Sequence, residues 1–486
     1  VNKRSLSGLG VIVLVAGMLG FFTLSRGHLW WDDFASYVMQ AKSILSWSMS
    51  DFTLHNAFTV ENSSYPPGPV AYPWGFPLLL APVYALFGIN PLALKLVSVF
   101  FYALFVVVFY LLARTRLAEA DSLLLAGVFA TLPAMVAAND LILSDIPFLA
   151  VSTLCLVLIE RLSRGKTLAG LVSLSGLACG GAIFGAFFLR SNGVLLLAPL
   201  VVGVLVSQWP RWRDGLRMIA APLFSFAILL VAQMAIFPGG QESYFSHFSL
   251  FTPARLLDNV LYYLWLPSWA FESIPGGVVI YPILGVFALV SMASHLRRDA
   301  ALHAYGLLTV VLFIAWPERQ GLRFIYPALP VLFIAALDGM QLAARRLKGN
   351  WQLRAQLAVR GLWGVVLAAG LAVSASSAYT ITVGGREING PFDPYSNQMF
   401  SFIREETPPQ SIVIFMRPRA MRLFTDRDSF MTERCTDLSR GDYVVIHDKQ
   451  AGNGQVPPEQ VETCNPAARL ERVFKNKRFT VYKVDR

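Results

Sequence analysis

The chain has 486 residues, of which 55% are apolar and 14% charged, against about 25% charged in an average soluble domain. So few charges cannot cover a soluble surface of this size, so most of the surface faces lipid, which excludes cytosolic enzymes, disordered chains and disulfide-stapled secreted domains. Four cysteines make no disulfide framework and fit no zinc spacing. The net charge of +10 is bunched between long uncharged runs, and nucleic acid is not needed to explain it.

The first uncharged run, Ser5–Ser25, holds 21 residues behind Lys3 and Arg4 and continues into Leu29-Trp30-Trp31. It is longer than a signal-peptide core and matches the ~20 apolar residues that span a bilayer. Similar runs follow at Pro91–Ala113, Ser122–Asn139, Ile146–Ile159, Leu168–Leu189, Ser191–Gln208, Met218–Phe237, Ile274–Ser294, Ala300–Pro317, Phe324–Leu337 and Gly361–Val383, which predicts eleven spans. Phe76–Phe87 holds 12 apolar residues with two prolines, too short to span, and is predicted to be re-entrant or interfacial.

Charge sets the orientation. With the N-terminus cytoplasmic, the cytoplasmic segments, Lys166 among them, hold 17 Lys and Arg, the opposite side before the tail 7 and the tail the remaining 16. Basic short loops favour the cytoplasm. The expected organisation is a membrane domain over 1–384 and a soluble domain over 385–486 outside the cytoplasm, with outer loops at 26–90 and 238–273. The tail has charges throughout, β-type runs at Ile412–Met416, Tyr443–His447 and Phe479–Val484, and a helical pattern over Gln398–Arg404 that Pro408-Pro409 ends. It reads as a small α/β unit in which an oxidising compartment would allow Cys435 and Cys464 to pair. Cys155 and Cys179 fall within spans and read as packing residues.

The first outer loop opens with Trp30-Trp31-Asp32-Asp33. Two carboxylates at a membrane boundary are costly to desolvate. They read either as solvated acids behind an aromatic belt or as a general base facing a cavity. A second acidic site, Asn139-Asp140 to Ser144-Asp145-Ile146-Pro147, follows the third span on the same side. Asp145 is either a helix cap or a cavity-facing charge. Arg190 in a short turn and Arg323 at a span start are either snorkelling residues or a fork for a phosphate. His28, His55 and His247 share this side without metal-ligand spacing, and no metal is expected.

At these residues the chain resembles GT-C-type glycosyltransferases, in particular bacterial relatives of the protein O-mannosyltransferases and the lipid A aminoarabinose transferase. The resemblance rests on Asp32-Asp33, the block Tyr72-Pro73-Trp74-Gly75-Phe76-Pro77 with Leu86-Phe87-Gly88, Ser144-Asp145-Ile146-Pro147, Arg323-Phe324-Ile325-Tyr326-Pro327, and Phe402-Ile403-Arg404-Glu405-Glu406-Thr407-Pro408-Pro409. It covers nearly the whole chain, although Asp33 stands where many members carry Glu. The Trp-Trp-Asp-Tyr-Gly signature of the metal-dependent oligosaccharyltransferases is absent.

The resemblance implies a multi-pass protein of a bacterial-type inner membrane that moves a sugar from a polyprenyl-phosphate donor to a hydroxyl of a glycan, lipid or protein, with inversion. No cofactor is implied, and no phosphate-binding Gly-rich loop with Lys-Ser/Thr is found. Asp32 would be the general base, with the choice between Asp32 and Asp33 open and Asp145 beside them. Arg190, Arg323, Tyr326, Tyr72 and Asp140 would bind substrate and phosphate. The competing class is a transporter or lipid flippase, which intramembrane charges and Pro-broken helices also suit. Against it, the two halves show no internal repeat, and the tail and long first loop are unusual for a transporter.

Overall fold

The computed structural model describes residues 3–165, 173–239, 252–316, 319–449, 454–464 and 469–485. Lys166, His247 and Pro317 lie outside these residues. Helix α1 (Lys3–Phe22) leads into three short helices, α2 (Asp32–Leu45), α3 (Met49–Asn62) and α4 (Gly75–Phe87). The bundle continues with α5 (Pro91–Ala113), α6 (Glu119–Thr131), α7 (Pro133–Ala137), α8 (Asp145–Arg164), α9 (Leu174–Leu189), α10 (Leu197–Ser207) and α11 (Trp212–Ile236). It ends with α12 (Pro253–Trp265), α13 (Gly277–Ser294), α14 (Ala300–Ile314), α15 (Leu329–Arg345) and α16 (Asn350–Gly384).

Each of the apolar runs is met by one of these helices. Among the described residues seven are long and apolar enough to cross a membrane, or eight if α6 and α7 with its following turn are one span bent by 50°. The bend falls at Leu132–Pro133, where proline removes a helical donor and drives the preceding residue into extended backbone. The expected count of eleven thus includes three helices, α9, α10 and α14, shorter than the other spans. Helix α4 has 13 residues with Pro82 inside and stops at Gly88, matching its expected failure to span.

Helices α8 and α15 are the inner members of the bundle, with 78% of their apolar windows buried, whereas α1, α11, α13 and α16 bury 22%. The exposed residues of α11 and α13 include Ile228, Val231, Met234, Val279, Val286 and Leu289, a surface suited to lipid. Two glycines set close crossings: a Cβ on Gly180 would strike the carbonyl of Pro222, and one on Gly339 the carbonyl of Phe287. Small residues let helix backbones approach in this way.

Basic segments expected on one side meet at one end of the bundle. Arg116 pairs with Glu160 at 2.5 Å and Asp299 at 2.8 Å, Arg298 with Asp338 at 3.3 Å, and Arg360 with Asp121 at 2.7 Å. The other end carries α2–α4 and the C-terminal α/β unit. This unit contains α17 (Pro394–Glu406), β1 (Ile412–Ile414), α18 (Pro418–Thr425), β2 (Asp428–Phe430), β3 (Tyr443–His447), β4 (Arg469–Lys475) and β5 (Phe479–Asp485). The sheet order is β2-β1-β3-β5-β4; β1 is parallel to β2 and β3, and β5 is antiparallel to β3 and β4. Asp393 caps α17 by accepting from the Tyr395 and Ser396 amides. Cys435 and Cys464 are joined in a disulfide, and Cys155 and Cys179 are buried free thiols.

The α/β unit rests on the first loop. Thr59 Oγ1 donates to the Ser429 carbonyl at 2.8 Å, and Trp30 lies within ring-contact distance of Phe400, Phe415 and Phe479.

Candidate active site

Helix α2 starts at Asp32 without a side-chain cap, so both acids sit in its first turn, where the helix dipole favours negative charge. Successive helical residues diverge by about 100°, and the two carboxylates accordingly reach different neighbours. Asp33 turns into the bundle: its Oδ1 accepts from the Tyr72 hydroxyl at 2.8 Å and its Oδ2 from Arg323 Nη2 at 3.2 Å. Asp32 turns towards the α/β unit, with Oδ2 3.9 Å from Nε of Arg419.

The environments separate their proton affinities. Burial pushes the Asp32 carboxyl up to about 6, with Arg419 and Arg417 offsetting only part of the rise and Asp33 adding to it. Burial acts on Asp33 in the same sense, but Arg323, the Tyr72 hydroxyl and Arg419 together hold it below the ordinary carboxylate range. Burial, with Asp33 next to it, keeps the Tyr72 phenol protonated well beyond its usual range. Access differs too: both Asp32 oxygens are enclosed, whereas the Asp33 side chain is 23% exposed.

Asp145 is the first residue of α8, and its carboxylate does not cap that helix. Its Oδ1 instead accepts from Arg190 Nη1 at 2.5 Å, and its Oδ2 lies 3.8 Å from Arg323 Nη1. Arg190 closes the C-terminus of α9, and Arg323 lies in the tight turn Leu322–Ala328 that leads into α15. Both guanidinium groups stack on the Phe324 ring, at 5.0 and 4.7 Å, and Arg323 also stands 5.1 Å from the Trp31 ring. Neither arginine snorkels outward; their side chains are 17% and 25% exposed.

This cluster borders a cavity of about 370 Å³ lined by Trp31, Leu143, Asp145, Gln320, Arg323 and Tyr326 among others. Tyr326 donates to the Ala134 carbonyl at 3.4 Å, which ties the cavity wall to the bent α6–α7 segment. A second cavity of about 300 Å³ lies along α12, with Asp258, Tyr262, Trp265, Trp269 and Arg319 in its wall. Its one acid, Asp258, lies 3.8 Å from Arg319, and none of Asp32, Asp33 and Asp145 reaches it.

The structure therefore brings together Asp33, Tyr72, Asp145, Arg190, Arg323 and Tyr326, with Asp32 one layer away. It does not bring Asp140 to them. Asp140 is buried, accepting from Lys95 Nζ at 2.6 Å and from the Ser25 amide at 2.7 Å, which fastens the α1–α2 link to α5. His28 donates from Nδ1 to the Leu29 carbonyl at 2.8 Å and accepts at Nε2 from the Ile142 amide at 3.1 Å. Burial drives its pKa down to about 3, so it is a neutral packing group. His55 lies 3.0 Å from Asp428. Among the described residues no three His, Cys, Asp or Glu side chains converge as metal ligands.

No family model matches the sequence, and no curated protein matches it. Solved structures do. ArnT from Cupriavidus metallidurans bound to undecaprenyl phosphate superposes with a TM-score of 0.60 at 14% identity, covering 97% of each chain. The same protein in its apo state gives 0.58 at 16% identity, over 99% of this chain and 98% of that one. The archaeal oligosaccharyltransferase AglB from Archaeoglobus fulgidus, in complex with an inhibitory peptide and a dolichol-phosphate, gives 0.56 at 12% identity, over 92% of this chain and 70% of that one. These proteins are glycosyltransferases of the GT-C fold.

Proposed function

We propose that this chain, a membrane protein with the GT-C fold, transfers a sugar from a polyprenyl-phosphate donor to a hydroxyl acceptor at the outer face of the membrane. A fold alone does not assign an activity. The observation that carries the reading is the convergence of Arg190 and Arg323 on Asp145 at a cavity wall, with Asp33 held by the same Arg323. Guanidinium forks suit phosphate, and here they are desolvated and paired with carboxylates that a lipid phosphate can replace.

In this reading the acceptor oxygen attacks the anomeric carbon while the bond from that carbon to the donor phosphate oxygen breaks. The hydroxyl proton passes to Asp33, the carboxylate of the pair that an acceptor can reach. A single displacement inverts the anomeric centre. The phosphodiester leaves as a monoester and gains negative charge, which Arg190 and Arg323 stabilise; charge stabilisation of this kind is often the largest part of catalysis. When Arg323 moves onto the phosphate its hold on Asp33 weakens, and Asp33 becomes a stronger base at the moment one is needed. The acceptor is a glycan, a lipid or a protein.

The test is a transfer assay with the full chain in detergent or nanodiscs. Polyprenyl-phosphate hexoses and pentoses are supplied, and release of free polyprenyl phosphate is measured. Release that depends on Arg323 and Asp33 is the expected result. No release from any donor, with no binding of polyprenyl phosphate, would overturn the proposal. Passage of intact donor across vesicles without release would instead establish the transporter reading.

A further inference from the structure

Arg419 is fully buried, although it belongs to α18 of the charge-rich α/β unit. Its guanidinium is spent on the first loop. Nε donates to Asn56 Oδ1 at 3.1 Å, Nη1 to the Pro67 carbonyl at 3.2 Å and Nη2 to the Pro69 carbonyl at 2.6 Å. The same group stands 3.9 Å from Asp32 Oδ2 and 5.4 Å from the centre of the Tyr72 ring. Tyr72 in turn donates to Asp33. Two positions earlier, Arg417 Nε donates to the Trp30 carbonyl at 2.6 Å, just before α2 begins. The loop is shaped to receive this contact. Gly68 has φ +135°, and a Cβ there would lie 2.6 Å from the Tyr72 hydroxyl and 3.0 Å from Arg419 Nη1. A buried charge is retained only where partners satisfy it, and here all of the named partners lie on the loop that carries the acids.

We infer that Arg417 and Arg419 are positioning residues of the active site: the α/β unit inserts them into the first loop to set the place and charge of Asp32 and, through Tyr72, of Asp33. The inference rests on the proposed function for its catalytic meaning but has a readout independent of transfer. The α/β unit is then a structural part of the reaction centre.

The charged and titratable groups that face Asp32 are Arg417 and Arg419 from the α/β unit, Asp33 from α2 and Tyr65 from the loop before α4. Removing an opposite charge at this range raises a carboxyl pKa by about 1–3. The experiment follows the infrared band of the protonated Asp32 carboxyl against pH in the full-length protein. The band is identified by its loss in Asp32→Asn. In Arg419→Gln and, to a smaller degree, Arg417→Gln the titration should move to higher pH. Arg419→Lys keeps the charge and loses the fork, so its titration should stay near that of the unaltered protein.

A purely structural Arg419 would lower Tm and leave the titration of folded protein in place. Coincident titrations in the unaltered protein and both Gln variants, or no band assignable to Asp32, overturn the inference. If Arg419→Gln fails to fold, Arg417→Gln carries the measurement. Absence of sugar transfer by the unaltered protein would overturn the proposed function alone, since the infrared titration would still decide this point.

Discussion

Arg190 and Asp145 meet at 2.5 Å across 45 residues of sequence. The other oxygen of Asp145 stands 3.8 Å from Arg323. One carboxylate is thus shared by two guanidinium groups, and under the proposed function this is the place the donor phosphate takes.

Arg323→Ala should lower both donor affinity and turnover, because the charge Arg323 faces grows as the phosphate leaves. The expected loss in kcat is about 100- to 1,000-fold, the scale for removing one preorganised charge-stabilising donor. Arg323→Lys should restore part of it, since it keeps the charge without the fork. Equal kinetics for Arg, Lys and Ala would leave Arg323 a packing and ion-pairing residue with no part in the reaction.

Asp33→Asn should lower turnover by about 100- to 10,000-fold, the range for loss of a general base, with donor binding intact. If Asp33→Asn keeps its turnover and Asp32→Asn loses it, the enclosed carboxylate is the base, and the loop must open to expose it.

Asp32 also sets a pH dependence of stability. Its folded pKa, about 6, lies above the ordinary 3.8, so the folded state binds the extra proton. The stability this group contributes is complete below about pH 4 and is lost as pH rises through 6. The loss is on the order of 2–3 kcal/mol. His28 acts in the opposite sense: its folded pKa, about 3 against 6.5, makes stability fall as pH drops below 6.5. The difference in Tm between the unaltered protein and Asp32→Asn isolates the first effect. A difference that stays constant from pH 4 to 7 would show that Asp32 does not titrate there.

Asp140 should behave as a structural residue. Lys95 is completely buried against it, and removing one partner of a buried ion pair costs about 3–5 kcal/mol. Asp140→Asn and Lys95→Met should both lower Tm or the folded yield while leaving donor KM unchanged in the folded fraction. A raised donor KM at unchanged Tm would return Asp140 to the substrate site.

The Cys435–Cys464 bond closes a loop with a sequence separation of 29. Cys435→Ser should destabilise the α/β unit by about 2–4 kcal/mol, read as increased hydrogen exchange in β3 and β5 and as a lower Tm. Exchange unchanged across the sheet would assign the bond no part in its stability.

The apolar runs were legible because a lipid environment demands near-continuous hydrophobicity, and each run has its helix. Asp33, Asp145, Arg190 and Arg323 were legible for the same reason: a charge at the edge of an apolar run stands out. Arg419 was not, because an arginine among the 30 charged residues of the tail carries no such contrast. Strand β2 is only three residues long, and β4 is largely exposed at the sheet edge, so neither shows the buried apolar run that marks β3 and β5. Asp140 was misleading for a related reason. It shares a segment with Asp145, but Lys95, 45 positions earlier, captures it, and nothing local announces that partner.

The contact between Arg417 and Trp30 joins positions 387 residues apart, which has a consequence for biosynthesis. At about 5–20 residues per second, the first loop is made on the order of 20–80 s before its arginines emerge. Throughout that interval Asp32, Asn56 and the Pro67 and Pro69 carbonyls await the partners that will close over them. A nascent chain can therefore hold a fully inserted helical bundle and still be inert, and ribosomes stalled short of residue 417 would leave the membrane loaded with such precursors.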